Sequence, residues 1–216
     1  MESSITKETL STLKIESFDG RIIVVQSLNE AEKAVKYLSG YPIIGFDTET
    51  RPSYKKGARY GVALIQLSTE NTCFLFRLNI IGFPKCLIAL LSNPNVKKVG
   101  LSLRDDFASM NRRQAFFPDG FIDLQKMVQE YGITDISLQK IYAILFDKRI
   151  SKNQQLTNWE ADILTDSQKK YAALDAWACL KIYNKLRAKN YFGIKEQCIN
   201  GKKHAVEPVQ KSAMSG

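Results

Sequence analysis

Histidine and closely spaced cysteines, which build most zinc sites, are scarce in this chain. His204 is the single histidine, and the four cysteines, Cys73, Cys86, Cys179 and Cys198, include no C-x-x-C pair. The sequence therefore argues against a zinc site. Cys73 and Cys179 stand in apolar surroundings, and we expect them to be reduced residues of the core.

Long apolar runs are missing as well. No run approaches the roughly 18 apolar residues that a membrane-spanning helix needs, and the opening residues MESSITKETLSTLK contain no apolar segment of the signal-peptide type. We therefore expect a soluble, intracellular protein, cytoplasmic if the organism is a bacterium, with no membrane partner.

Acidic residues are outnumbered by basic ones. The 216 residues include 31 Lys and Arg against 22 Asp and Glu, a formal net charge of +9. A basic domain suits a polyanionic partner such as nucleic acid, although the same charge can serve solubility alone. The length and the hydrophobic content of 44% fit one sizeable core.

The order of predicted elements indicates an α/β domain with a mixed sheet. The runs "GVALIQLST" and "NTCFLFRL" are rich in β-formers and joined by a short turn, which predicts a hairpin. Asn29 is the predicted N-cap of a helix that ends near Gly40. Further strands are predicted at 20–28, 43–49 and 96–101, and further helices at 83–92, 103–116 and 137–146. We divide the chain into an N-terminal extension at 1–19, a single domain at 20–189 and a partly disordered tail at 190–216.

Two acids end the predicted strand "YPIIGFDTET". Because successive side chains of a strand point to opposite faces, Asp47 and Glu49 share a face with Ile43 and Gly45. Two like charges on one face repel each other unless water solvates them or a cation lies between them. The stretch alone leaves both possibilities open: a solvated strand end, or a divalent metal site with further carboxylates from elsewhere in the chain.

A third carboxylate lies on the apolar face of the last predicted helix. Thr165 and Gln168 form the capping box at which this helix begins. Asp175 follows Tyr171 by one helical turn, among the apolar positions of the helix. A buried carboxylate is costly unless it is paired or metal-bound, so either an Arg or backbone partner or a cation is expected beside it.

A fourth candidate comes from "VGLSLRDDFASM", in which a strand runs into a helix. Acids in the first turn of a helix interact favourably with its dipole, so neither acid needs a further role. Asp106 nevertheless borders the apolar side, near Leu103 and Met110, whereas Asp105 faces the exposed side. Asp106 is therefore the candidate, and Asp105 is expected to be an ordinary helix-start acid.

These four acids could together bind divalent cations. Hard divalent cations prefer oxygen ligands, and four carboxylates carry enough charge to hold two of them. Asp47, Glu49, Asp106 and Asp175 can together form such a site, which would explain why two acids share one face of a strand.

The order D-x-E, then Asp, then Y-x-x-x-D resembles the DEDD superfamily of 3′–5′ exonucleases, in its tyrosine subclass. The resemblance covers about residues 20–188. Three longer stretches carry it, and they resemble motif blocks of the ribonuclease D and Werner-syndrome exonuclease branch: "FDTETRPSYKKGARYGVALIQLST", "KKVGLSLRDDFASM" and "LTNWEADILTDSQKKYAALDAWACLKIY". The histidine subclass does not fit, because His204 is the only histidine and follows the last acid.

The resemblance implies a ribonuclease H-like α/β fold with a five-stranded mixed sheet flanked by helices. It also implies a metal-dependent 3′–5′ exonuclease that releases nucleoside monophosphates from a DNA or RNA 3′ end, with two divalent cations, Mg²⁺ or Mn²⁺. In that family pattern, Asp47, Glu49 and Asp175 would hold one ion. Asp47 and Asp106 would contact the second, and Tyr171 would orient the attacking water.

Two loops contain candidate phosphate contacts, which position a nucleic-acid backbone without reading its sequence. The candidates are Arg51, Lys55, Lys56 and Arg59 after the first acids and Lys148, Arg149 and Lys152 before the last helix. Tyr54 and Trp159 could stack on a base. The alternatives are a solvated basic loop for the charges and a packing role for Trp159.

Two other functions stay open at this point. A catalytically silent nucleic-acid-binding or scaffold domain can have the same fold, since fold alone does not determine function. The other is a proofreading or processing subunit that acts only within a larger complex. The presence of all four acids together with Tyr171 favours the enzyme.

Overall fold

The computed structural model describes residues 3–53 and 60–201, with side chains through residue 188. The strands are β1 (Lys14–Ile15), β2 (Arg21–Val25), β3 (Ile43–Thr50), β4 (Val62–Ser68), β5 (Thr72–Arg77), β6 (Lys97–Gly100), β7 (Phe121–Asp123) and β8 (Lys148–Arg149). The helices are α1 (Lys7–Thr12), α2 (Leu28–Leu38), α3 (Leu78–Ile81), α4 (Lys85–Leu91), α5 (Arg104–Arg113), α6 (Leu124–Glu130), α7 (Leu138–Phe146) and α8 (Asp166–Gly201). Within the described ranges, no helix combines the length and apolarity needed to cross a membrane.

Six strands form a mixed sheet in the order β2-β5-β4-β3-β6-β7. β4 pairs antiparallel with β3 and β5, whereas the other neighbours, β2 with β5, β3 with β6 and β6 with β7, are parallel. The predicted α/β fold with a mixed sheet is confirmed, but the sheet has six strands rather than five. The short edge strand β7, which has only three residues, belongs to this sheet.

The predicted hairpin is confirmed as β4 and β5, whose closing pair is Ser68 and Cys73. Every residue of both strands is buried, because helices cover both faces of the sheet. One apolar core lies between the sheet and α6, α7 and α8, and the other lies between the sheet and α2, α4 and α5. Strands buried on both faces have continuous apolar sequences, which explains the composition of this hairpin.

Helix α2 begins with a capping box that differs from the prediction. The Ser27 hydroxyl accepts the N–H of Glu30 at 3.3 Å, and the Glu30 carboxylate accepts the N–H of Ser27 at 2.9 Å. Asn29 therefore lies inside the first turn and is not the N-cap. The pattern S-x-x-E satisfies two backbone donors at once, whereas an Asn cap at position 29 would satisfy one.

Helix α8 begins at the predicted capping box, in which the N–H groups of Thr165 and Gln168 bond to each other's side chains at 3.0 and 3.2 Å. The Gln168 amide also donates to the Thr157 hydroxyl at 3.0 Å and to the Asn158 carbonyl at 3.2 Å. These bonds tie the preceding loop to the start of the helix. The helix then runs to Gly201, past the boundary at residue 190 that the sequence suggested.

The N-terminal segment packs on the domain. β1 lies parallel to β8, and the buried carboxylate of Glu16 accepts the Tyr142 hydroxyl at 2.6 Å and Lys148 Nζ at 2.9 Å. Ile5 and Leu10 pack against Ala143 of α7. This segment therefore lies against α7 and β8.

Candidate active site

The site lies where β3 passes under α8, at a contact between two backbones. A Cβ atom at Gly45 would lie 1.9 Å from the carbonyl oxygen of Ala176, so only glycine lets the helix approach this closely. Asp175 directly precedes Ala176 on the helix. The contact therefore brings Asp175 to the face of β3 that carries Asp47 and Glu49.

Three of the predicted acids come together here. Asp47, Glu49 and Asp175 each place a carboxylate oxygen within 4.8 Å of the other two. A cavity of about 260 Å³ opens over this group, and Lys152 and Tyr171 also line it. Asp175 is only 6% exposed, and among the described residues its Oδ1 atom has no hydrogen-bond partner.

The surroundings oppose ionisation of these acids. Burial, followed by the neighbouring charges of Asp47 and Asp175, raises the pKa of Glu49 to about 10. Burial, followed by the charges of Asp175 and Asp106, also holds the pKa of Asp47 well above its usual range. Burial raises the pKa of Asp175 to about 7, while a hydrogen bond from Tyr171 opposes the shift. Such an all-oxygen group of crowded carboxylates fits a divalent cation, which would offset their repulsion.

Tyr171 lies one turn before Asp175 and donates a hydrogen bond to its carboxylate. Burial, followed by the charges of Asp175 and Glu49, raises the pKa of Tyr171 above its ordinary value. The phenol therefore keeps its proton at neutral pH and is a hydrogen-bond donor to Asp175.

Asp106 approaches the group from the start of α5 but is not one of the three clustered acids. Its carboxylate accepts a hydrogen bond from the hydroxyl of Thr48, which lies between the two acids of β3. Burial raises the pKa of Asp106 to about 6, and the Thr48 hydrogen bond opposes that shift. Asp106 is half-buried and Asp105 is exposed, as their positions on the helix predicted.

Asp123 and Thr48 contribute to this arrangement and were not identified from the sequence. The Asp123 carboxylate accepts the N–H groups of Ser102 and Leu103 at 2.9 and 3.2 Å, immediately before α5. It thereby fixes a turn in which Ser102 has a φ of 58°, and this turn sets the direction of the helix that carries Asp106. An Asp at the strand-to-helix junction "FIDLQ" was the available signal for Asp123. The hydrogen bond of Thr48 joins distant parts of the chain and had no such signal.

The predicted phosphate contacts have different surroundings. Lys152 lines the cavity, and its charge lowers the pKa of Asp175. Arg51, near the end of β3, lies 3.5 Å from Glu160. Lys148 and Arg149 contact the N-terminal segment, through Glu16 at 2.9 Å and the Leu13 carbonyl at 3.1 Å respectively. Tyr54, Lys55, Lys56 and Arg59 lie outside the described residues.

Trp159 is a packing residue. Its side chain is completely buried, and its ring centre lies 6.0 Å from that of Tyr171. An enclosed indole cannot stack on a base, so the stacking interpretation of Trp159 is wrong and the packing alternative holds. Its contact with Tyr171 supports one side of the site.

Comparisons with known proteins agree with this geometry. A family model described as 3′–5′ exonuclease matches residues 22–190. The mouse protein named bifunctional 3′–5′ exonuclease/ATP-dependent helicase WRN is 32% identical over 196 residues, which cover 86% of this chain but only 14% of that protein.

Two solved structures have a similar fold. The Nibbler EXO domain of Aedes aegypti gives a TM-score of 0.71 at 20% identity, over 82% of this chain and 91% of that one. The Trypanosoma brucei RNase D complex with RNA U12 gives a TM-score of 0.70 at 22% identity, over 78% of this chain and 63% of that one. These likenesses show the ribonuclease H-like fold, and the sequence match shows the family. The chain belongs to the DEDD family of 3′–5′ exonucleases.

Proposed function

We propose that this chain is a metal-dependent 3′–5′ exonuclease that hydrolyses phosphodiester bonds at a nucleic-acid 3′ end and releases nucleoside monophosphates. The observation that carries the proposal is the group of three carboxylates, Asp47, Glu49 and Asp175, which converge within 4.8 Å beside an open cavity. Crowded, partly desolvated carboxylates destabilise a fold, so their presence needs a compensating role such as cation binding.

Two divalent cations, Mg²⁺ or Mn²⁺, would occupy this site, with Asp47, Glu49 and Asp175 around one and Asp47 and Asp106 around the other. When bound, the cations would acidify a water molecule and stabilise the charge that develops on the phosphate. Asp106 reaches the site from a separate helix, and its hydrogen bond from Thr48 links it to β3. This link supports the assignment of Asp106 to the second position.

Tyr171 would hold the attacking water in line with the phosphate through its hydroxyl. Burial raises the pKa of Tyr171, which disfavours general-base catalysis by its phenolate at neutral pH. Its contribution would therefore be geometric: its hydroxyl would fix the orientation of the attacking water.

Basic side chains around the cavity would bind the substrate backbone. Lys152 lines the cavity and is the best-placed described candidate for the terminal phosphates. Arg51 is exposed at 43% of its side chain and would contact a more distant phosphate. Tyr54, Lys55, Lys56 and Arg59 remain candidates on the strength of the sequence. Such contacts position nucleic acid but do not select a base.

Digestion of labelled oligonucleotides tests this proposal. Single-stranded and 3′-recessed RNA and DNA, labelled at the 5′ end, would be incubated with the chain and Mg²⁺ or Mn²⁺. We expect products that shorten stepwise from the 3′ end, release of nucleoside monophosphates, and no products when EDTA is present. A catalytically silent domain would bind the oligonucleotides without shortening them, and a subunit that depends on a complex would be inactive alone.

A further inference from the structure

The amide of Gln66 is buried without a partner in the middle of the sheet. Gln66 is 0% exposed, and neither its Oε1 nor its Nε2 atom has a hydrogen-bond partner among the described residues. A buried amide that lacks hydrogen bonds costs free energy, and native proteins retain few of them without a reason. The position of this side chain suggests the reason.

Gln66 lies directly opposite Asp47. The register of β3 and β4 pairs these two residues, so their side chains lie on the same face of the sheet, under α8. Cβ atoms of directly opposed residues are about 4.5–5.5 Å apart, a distance that a glutamine side chain can span. On the same face of β4, Leu64 lies opposite Glu49.

The other described neighbours of Gln66 on this face offer no free hydrogen-bond acceptor of comparable strength. The Ser68 hydroxyl donates to the Thr69 carbonyl at 2.8 Å, and Leu75, which is opposite Gln66 on β5, is apolar. Asp47 differs, because its carboxylate accepts a hydrogen bond from the backbone N–H of Thr48 and its two oxygens can accept several more. Asp47 is therefore the natural acceptor for Gln66.

We propose that Gln66 is a positioning residue of the metal site: when a divalent cation is bound, its Nε2 group donates a hydrogen bond to the carboxylate of Asp47 and orients it toward the cation. The inference rests on the proposed function. An amide carries no charge and donates at every pH, so it can support an ionised ligand without competing with the cation. Loss of such a supporting partner typically weakens metal binding about 10- to 100-fold.

The substitution Gln66→Met separates this role from simple packing. Methionine has a similar length and volume but no amide. We expect Mn²⁺ to bind Gln66→Met about 10- to 100-fold more weakly than the wild type. The midpoint of thermal unfolding without metal should stay the same or rise, since an unpartnered buried amide is removed. A residue that only fills space would leave Mn²⁺ affinity unchanged.

The experiment uses the full chain, with Leu75→Met as the matched control on the neighbouring strand. Calorimetric titration with Mn²⁺ and thermal unfolding with EDTA would be measured for the wild type, Gln66→Met and Leu75→Met. Selective loss of Mn²⁺ affinity in Gln66→Met supports the proposal. Equal affinity of Gln66→Met and wild type overturns it, and so does an equal loss in Leu75→Met.

Other outcomes distinguish a failure of the proposed role of Gln66 from a failure of the proposed exonuclease function. If Gln66→Met does not fold, Gln66→Leu replaces it, and failure of both variants to fold would overturn the proposal, since the amide would then be a structural requirement. If the wild type itself neither binds Mn²⁺ nor cleaves oligonucleotides, the proposed function fails together with this inference. If the wild type does both and Gln66→Met matches it, only the role of Gln66 is refuted.

Discussion

Gly45 and Ala176 bring a strand and a helix into backbone contact: a Cβ atom at position 45 would be 1.9 Å from the Ala176 carbonyl oxygen. This contact sets the distance between β3 and α8, and therefore between Asp47 and Asp175. The geometry of the candidate site thus depends on a residue that has no side chain.

Gly45→Ala should push α8 away from the sheet. Overpacking of this kind costs about 1–3 kcal/mol in the free energy of unfolding, and the displaced helix carries both Tyr171 and Asp175. We therefore expect cleavage at saturating Mn²⁺ to fall even at temperatures where the variant is fully folded. Chemical denaturation and single-turnover cleavage measure the two effects.

Gly61→Ala is the matched control. A Cβ atom at Gly61 would lie 3.5 Å from the Arg113 side chain, an ordinary van der Waals distance. This variant should keep wild-type stability and cleavage. Similar behaviour of the two variants would show that the contact between Gly45 and Ala176 does not control the site.

The stability of the metal-free protein should decrease as the pH rises. Burial raises the pKa of Asp106 to about 6 and that of Asp175 to about 7, above the unfolded value of about 3.9. The folded state therefore binds more protons than the unfolded state, so this contribution to stability is complete below about pH 4 and is lost as the pH passes through 6 and 7. Thermal unfolding in EDTA between these pH values measures the decrease.

Two further measurements test whether the carboxylates of the candidate site cause this pH dependence. Addition of Mn²⁺ should remove most of the decrease, because the cation replaces the protons. Asp175→Asn should flatten the decrease without metal, because one of the titrating groups is gone. A wild-type stability that rises over this pH range would contradict the assignment, as would an unchanged slope in Asp175→Asn.

The adjacent acids of α5 should differ in importance. Asp106 is half-buried and bonded to Thr48, whereas Asp105 is exposed at the start of the helix. Asp106→Asn removes one charge near the proposed second metal position and should slow cleavage by orders of magnitude. Asp105→Asn removes the same charge one residue away and should have little effect. The opposite ranking in a paired assay would refute the assignment of Asp106.

Substitutions of Tyr171 and Asp175 should differ in whether they weaken Mn²⁺ binding as well as cleavage. Tyr171→Phe removes a positioning hydroxyl, so we expect a rate lower by about 100-fold or more with Mn²⁺ affinity close to that of the wild type. Asp175→Ala removes a proposed metal ligand and should lose both Mn²⁺ affinity and cleavage. Single-turnover cleavage and calorimetric titration separate the two. Wild-type cleavage by Tyr171→Phe would leave Tyr171 with a packing role only.

Local sequence patterns predicted much of the fold and most of the site. Alternation placed Asp47 and Glu49 on one face, and helical spacing placed Asp175 beside Tyr171 and distinguished Asp106 from Asp105. These relationships extend over a few residues, where strand and helix periodicity is reliable.

Relationships between distant segments could not be predicted in this way. The contact of Gly45 with Ala176, the hydrogen bond from Thr48 to Asp106 and the register of Gln66 with Asp47 each join separate elements. They depend on how the sheet and the helices pack, which no local pattern specifies. Trp159 was open to two interpretations for the same reason, since only the tertiary structure shows that it is enclosed.

The most direct test of the metal-dependent mechanism is cleavage by Asp47→Asn. The substitution preserves shape but removes the charge that would contact both cations, and it relieves repulsion with Glu49 and Asp175. We expect this variant to be at least as stable as the wild type without metal and to leave a 5′-labelled single-stranded oligonucleotide intact in Mn²⁺, whereas the wild type should shorten it from the 3′ end. Cleavage by Asp47→Asn at a rate near that of the wild type would show that the reaction does not depend on a cation held by Asp47.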